Sequence, residues 1–129
     1  ISTLFKDALF ELIRAKNSGG KEQQNVMSTL QQYIDSNISR HVTNQELGEA
    51  IGYNPNYLNR LVLSSTGMSL HQYVLQRRLV LATGLLVTTQ QPVNEIALRL
   101  GFHSASHFSA FFKKATGTTP AHFRKNGAL

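Results

Sequence analysis

Apolar residues recur along this chain at three- and four-residue intervals, the period of one face of an α-helix. Over residues 1–17 the set is Leu4, Phe5, Ala8, Leu9, Leu12 and Ile13, which predicts a short amphipathic helix. Asn17-Ser18-Gly19-Gly20 predicts a stop and a flexible joint after it. Val26, Leu30, Tyr33, Ile34 and Ile38 predict a second helix from about Glu22 to about Asn37. Thr43 and Glu46 have the spacing of a capping box. In that motif the Thr hydroxyl accepts from the Glu46 amide while the Glu side chain reaches back. The helix it opens turns Leu47, Ala50 and Ile51 inward and ends at Gly52. Asn54-Pro55 supplies an N-cap and a first-turn proline for the next helix. That helix carries Tyr57, Leu58, Leu61 and Val62 and closes at Gly67.

A long helix is predicted over residues 69–88, with Leu70, Tyr73, Val74, Leu81, Leu85 and Leu86 as its buried stripe. Pro92 restarts the chain, and a short helix from Glu95 to Leu100 ends at Gly101. The next runs from His103 or Ser104 to Ala115, with Phe108, Phe111 and Phe112 inward, and Gly117 closes it. Thr119-Pro120 caps a last short helix through Arg124. No segment of any length alternates with the period of a strand. The expected fold is all-α: about seven helices, plus the N-terminal connector helix.

With 129 residues the chain has the size of one domain, or of two small ones. It contains no cysteine, which excludes disulfides, thiolate metal sites and cysteine nucleophiles. The longest apolar stretch, Leu79 to Val87, is broken by Thr83 and Gly84. That is far short of the roughly 20 residues a membrane span needs, so no membrane partner is expected. The chain starts at Ile1, and a piece of a longer protein is the expectation.

The net charge is +6, and it is unevenly placed. Residues 1–50 hold five basic and six acidic side chains, whereas residues 51–129 hold eight basic ones and the single acid Glu95. A segment this basic points to a polyanion, nucleic acid or an anionic surface.

The basic segment contains an internal duplication. G52-Y-N-P-N-Y-L-N-R-L-V-L-S-S-T-G67 parallels G101-F-H-S-A-S-H-F-S-A-F-F-K-K-A-T-G117, with one extra residue early in the second copy. Beyond that residue the offset is 50, so Leu58 matches Phe108, Leu61 matches Phe111 and Val62 matches Phe112. The preceding Glu46-Leu47 and Ala50-Ile51 match Glu95-Ile96 and Arg99-Leu100. Helix, glycine turn, helix is the organisation of a helix-turn-helix. Its second helix presents one polar face narrow enough to enter a major groove about 12 Å wide. Two such units on one stiff helix would offer two reading faces to one duplex, about 34 Å apart.

At these residues the chain resembles the AraC/XylS family of bacterial transcription regulators. The likeness covers about residues 22–126, and its most specific part is E95-I-A-L-R-L-G-F-H-S-A-S-H-F-S-A-F-F-K-K-A-T-G-T-T-P-A-H-F-R124. The resemblance implies a cytoplasmic, nucleoid-associated activator that binds double-stranded DNA. It implies a DNA-binding domain over residues 21–129, with helix-turn-helix units at 43–67 and 93–117 joined by a linker helix at 69–88. Residues 1–20 would be the connector from a further N-terminal sensor or dimerisation domain. RNA polymerase is a further partner of such an activator.

Carried over position by position, the resemblance implies base contacts from Asn56, Asn59 and Arg60 in the first unit. Asn pairs bidentately with adenine and Arg with guanine; Arg60 is the main expected reader, with a phosphate contact as its alternative. In the second unit the equivalents are Ser106, Ser109 and Ala110, preceded by Ala105. Ala105, Ser106 and Ser109 are the base contacts expected there. Their short reach makes the second unit more an anchor than a reader. His107 reads a base, touches a phosphate, or is a solvated helix residue. Thr43 at its helix N-terminus, Lys113, Lys114, Arg124 and Lys125 are the expected backbone contacts. Where the family's linker helix is usually charged, this chain has Val80, Leu81, Thr83 and Gly84. Either these are buried, which apolar stripes favour, or they keep a face for the further domain.

Catalysis finds little support. His103 and His107 have a metal-binding helical spacing, but no third ligand is evident. Ser106 and His107, as neighbours on a helix, point different ways. No catalytic residue, no metal and no cofactor is expected, and relatives that repair DNA do so through cysteines absent here. An interaction module without DNA reading is the competing class.

Overall fold

A computed structural model describes the backbone of residues 15–127 and the side chains of residues 20–127. The described residues form seven helices and no strand: α1 (Ala15–Ser36), α2 (Asn44–Ile51), α3 (Pro55–Thr66), α4 (Leu70–Thr88), α5 (Val93–Arg99), α6 (Ala105–Thr116) and α7 (Pro120–Asn126). None of them is long and apolar enough to cross a membrane. The amphipathic helix expected over residues 1–17 falls mostly outside the described residues. The stop expected at Asn17–Gly20 does not form; α1 runs through it. Glycine costs about 1 kcal/mol in a helix interior, but extending an existing helix is far easier than nucleating one. Val26, Leu30 and Ile34 anchor α1 downstream, each almost fully buried.

Local chemistry fixes the remaining boundaries. Asn54 and Ser104 cap α3 and α6, accepting from the Asn56 and His107 amides at 2.7 and 3.1 Å. The extra residue of the second copy falls before the cap, between Phe102 and Ser104, so both N-caps and both 12-residue helices keep the offset of 50. Ser69 and Thr119 cap α4 and α7 in the same way. Gly67 and Gly117 follow α3 and α6 at φ +79 and +86, a left-handed turn that favours glycine. Thr66 and Thr116 each donate back to the carbonyl four residues earlier and accept from the amide two residues later.

Two lobes share α4. The first packs Val26, Leu30 and Ile34 of α1 with Leu47, Leu58, Leu61, Val62, Leu70 and Tyr73. The second packs Ala82 and Leu86 with Ile96, Ala97, Leu100, Phe102, Phe108, Phe112 and Phe123. Full burial of each large apolar side chain is worth about 1.5–3 kcal/mol. In the second lobe the rings of Phe102, Phe108, Phe112 and Phe123 follow one another at 5.2–5.8 Å.

α4 buries no single stripe. Its first half turns Leu70 and Tyr73 to one lobe, its second half Ala82 and Leu86 to the other. At about 100° per residue, Tyr73 and Ala82 lie about 180° apart around the helix. The expected burial of Val80, Leu81, Thr83 and Gly84 is therefore only partly met. Val80 is 41% exposed, because it sits opposite the face its half of the helix buries. Leu81, Thr83 and Gly84 are half-buried. Ala50, expected inward, is exposed, since Leu47 and Gly48 take the buried face of α2.

The capping box at α2 forms by half. The Thr43 hydroxyl accepts from the Glu46 amide at 3.0 Å. The Glu46 carboxylate does not reach back: it pairs with the Arg40 guanidinium and accepts from the Tyr33 hydroxyl at 2.6 Å. A cation outcompetes an amide for a carboxylate. Arg40 first, then Tyr33, lowers the Glu46 pKa from 4.5 to about 2. A depressed carboxyl stabilises the fold above its ordinary pKa and loses that contribution as pH falls through its folded value. An acid titration of Glu46→Gln against the parent should therefore show a stability gap at neutral pH that closes between about pH 4.5 and about pH 2. A gap constant across that window would show that the carboxylate charge is not involved.

Candidate nucleic-acid interface

α2, Gly52 and α3 form one helix-turn-helix, and α5, Gly101 and α6 form the other. On α3, Asn56 and Arg60 are exposed. On α6, Ser106, His107, Ala110, Lys113 and Lys114 are exposed, and Ala105 and Ser109 half-buried. Thr43 at the start of α2 and Lys125 on α7 are exposed as well. The ion pairs among the described residues are Arg40–Glu46 and Arg77–Asp35. Neither involves α3, α6 or α7, so the charges of Arg60, Lys113, Lys114 and Lys125 have no carboxylate partner there.

Asn59 is placed otherwise than a helical wheel suggests. It is half-buried, and its Oδ1 accepts from the Leu70 amide at 2.8 Å. Leu70 opens α4, where the first amides have no partner within the helix. The matching pair in the second unit is Ser109 and Pro120, and proline has no N–H to satisfy. Asn59 thus holds the α3–α4 corner, and this need does not arise at α6–α7.

Arg124 likewise turns inward. Its Nε donates to the Leu86 carbonyl at 2.9 Å and its Nη1 to the Gln91 carbonyl at 2.6 Å. It is half-buried and closes the end of α4 against α7, a structural role not expected for it. His107 rests edge-on against Phe102 at 5.5 Å and stacks on His103 at 5.9 Å. Among the described residues, no group of three potential ligands forms around them.

Three features escaped the sequence reading. Arg77 makes a two-bond pair with Asp35, at 2.9 and 2.8 Å, tying α4 to α1. Gly48 admits the turn: a Cβ there would lie 2.6 Å from the Tyr53 carbonyl oxygen. Arg78 lies half-buried with its guanidinium 5.6 Å from the Phe102 ring centre. The duplication itself held the signal for Gly48, whose counterpart is Ala97.

Two helix-turn-helix units mounted on one helix, with exposed and unpaired basic residues on their second helices, define a DNA-binding domain. Residues 47–126 match the family described as "Helix-turn-helix domain". The chain is 35% identical to the regulatory protein SoxS of Salmonella typhimurium, over 78% of this chain and 94% of that protein. Among solved structures, the C-terminal domain of the response regulator AraT from Geobacillus stearothermophilus is 30% identical, covers 81% of this chain and 87% of its own, and superposes with a TM-score of 0.69. A transcriptional regulator from Chromobacterium violaceum with an AraC-type DNA-binding domain is 26% identical, over 88% and 98% of the two chains, with a TM-score of 0.73. The chain belongs to the AraC/XylS family of transcription regulators, as the DNA-binding domain of that family.

Proposed function

We propose that this chain reads double-stranded DNA with an uneven division of labour between its two reading helices, α3 and α6, set in successive major grooves, and that it activates transcription. The observation that carries the reading is the pair Asn56 and Arg60, one turn apart on the exposed face of α3, with no ion pair to Arg60 among the described residues. Each well-formed bidentate contact discriminates by about 1–3 kcal/mol. α6 offers Ser106, Ala105, Ser109 and Ala110 instead, which reach a base edge or a thymine methyl only at short range. Lys113, Lys114, Lys125 and the free amides beside Thr43 suit phosphates, and phosphate contacts position without specifying. His107, propped by Phe102, adds a polar ring at the start of α6. Asn59 and Arg124 support these helices from within.

As a cytoplasmic activator the protein would also meet RNA polymerase. Residues 1–20 would lead to a sensor or dimerisation domain. The test is selection of bound duplexes from a random pool by this chain alone, repeated with Arg60→Ala. Enrichment of two patches about one helical turn apart is expected, the stronger under α3. Arg60→Ala should erase preference at one base pair of that stronger patch, by about ten- to a hundredfold. Equal weakening on every sequence would make Arg60 a phosphate contact. No binding at low salt would return the chain to the class of protein-interaction modules.

A further inference from the structure

We infer that Arg78 is a positioning residue: it latches the turn of the second helix-turn-helix to the α1–α2 loop, fixing the angle between α3 and α6 and so the half-site spacing the chain accepts. The inference rests on the two-helix reading above and specifies what sets its geometry.

Beyond the shared α4, the two lobes have little to hold their relative orientation. α2 packs on α1 and α3, and α3 on α1 and α4, while α5 and α7 pack on α4, and α6 on its own lobe. On one side an open cleft of about 470 Å³ lies between them, lined by Asp35, Ile38, Leu81, Leu85, Arg99 and Leu100. A single helix can bend and twist. Something else must set the angle: the lobes also meet at Ile38, and the polar bridge beside it is Arg78.

Arg78 sits near the middle of α4, where the buried face changes from one lobe to the other. Its Nη2 makes a long contact of 3.4 Å to the Arg40 carbonyl of the first lobe. Its guanidinium lies 5.6 Å from the centre of the Phe102 ring, which belongs to the second core. Beside it the backbones of the two lobes meet. A Cβ on Gly101 would lie 3.0 Å from the Ile38 carbonyl oxygen and 3.2 Å from Arg78 Nη2. Gly101 is at φ +89, so the turn that separates α5 from α6 is itself the part pressed on the first lobe. Ile38 packs against both cores.

The energetics also fit a geometric role. Among the described residues Arg78 has no carboxylate partner, unlike its neighbour Arg77. Its Nε is buried with no hydrogen-bond partner, and loss of solvent lowers its pKa. A charge withdrawn from water without a counter-ion is a poor stabiliser, and an apolar side chain would cost less. A planar guanidinium lying on a ring and reaching a carbonyl instead fixes a direction. One base pair turns the duplex by about 34°. A swing of that size between the lobes would change the accepted spacing by about one base pair.

The test compares the parent chain with Arg78→Met, which keeps much of the stem, and Arg78→Lys, which keeps the charge. Each is used to select duplexes from one random pool. In parallel, spin labels at Ser65→Cys on α3 and Ala115→Cys on α6 report the distance between the reading helices without DNA. Both positions are exposed, and the chain has no cysteine of its own. The parent should give two patches at one spacing and a narrow distance distribution. Arg78→Met should keep both patches, spread their spacing by about one base pair either way, broaden the label distances and still unfold cooperatively. Arg78→Lys should fall between. Unchanged spacing and distances in Arg78→Met would overturn the inference. So would broadening accompanied by loss of cooperative unfolding, which would make Arg78 a stability residue only. If Arg78→Met fails to fold, Arg78→Lys decides by the same two readouts. A single patch from the parent would instead refute the two-helix reading, and the latch with it.

Discussion

One added methyl group, in Gly48→Ala, is expected to displace the first reading helix and destabilise the chain. In an exposed helix the change would help by about 1 kcal/mol. Here the new Cβ would lie 2.6 Å from the Tyr53 carbonyl oxygen and 2.9 and 3.0 Å from Pro55 Cγ and Cδ. The oxygen belongs to the backbone and the ring to the first turn of α3, so neither yields without moving that helix. Overpacking costs about 1–3 kcal/mol, occasionally more, and exceeds the propensity gain when the obstacle is rigid. A net loss of about 1–2 kcal/mol should lower the melting midpoint by roughly 4–8 °C for a chain of this length. Melting followed by circular dichroism, together with a loss of preference at the patch under α3, checks this. A raised midpoint would mean that the corner is softer than its geometry implies. The matching position in the second unit carries Ala97, fully buried, so there the methyl is accommodated.

The second large effect is on salt dependence. Lys113, Lys114, Lys125 and the start of α2 offer about four phosphate contacts, and each released counterion adds about −0.9 to the slope of log affinity against log salt. Between 50 and 200 mM salt the affinity should then drop about 150-fold. Lys113→Ala should flatten the slope by about one and weaken all sequences alike. Arg124→Ala should behave differently. It leaves the Leu86 and Gln91 carbonyls without their donor, and each lost charged hydrogen bond costs about 1.5–3 kcal/mol. It should lower the melting midpoint and leave the slope unchanged. A flattened slope in Arg124→Ala would mean that the side chain leaves its internal site for a phosphate.

These two variants mark where sequence reasoning succeeds and where it stops. Caps and stops are local, so Thr43, Asn54, Ser104, Gly67 and Gly117 could be read from their neighbours. The duplication placed both units because helix, turn and helix repeat at one spacing. Asn59 and Arg124 could not be read in this way. Their partners lie 11, 33 and 38 residues away in the chain, and a helical wheel records only which side a residue is on. Glu46 was read as a local cap because Arg40 and Tyr33 are brought to it by packing. The stripe on α4 was misread for another reason: periodicity assumes that a helix keeps one face inward along its length. Arg78 left no trace, since an arginine that directly follows Gln76 and Arg77 looks like a surface residue.

The reversal of faces along α4 also bears on how the two units diverge. A substitution at Leu70 or Tyr73 disturbs one core, and a substitution at Ala82 or Leu86 disturbs the other, though all four share one helix. Each unit can therefore accumulate its own changes without immediate cost to its twin. Gly48 against Ala97, Asn59 against Ser109, and Arg60 against Ala110 show such drift within one chain. The helix that joins the copies mechanically is also what lets them age separately as sequences.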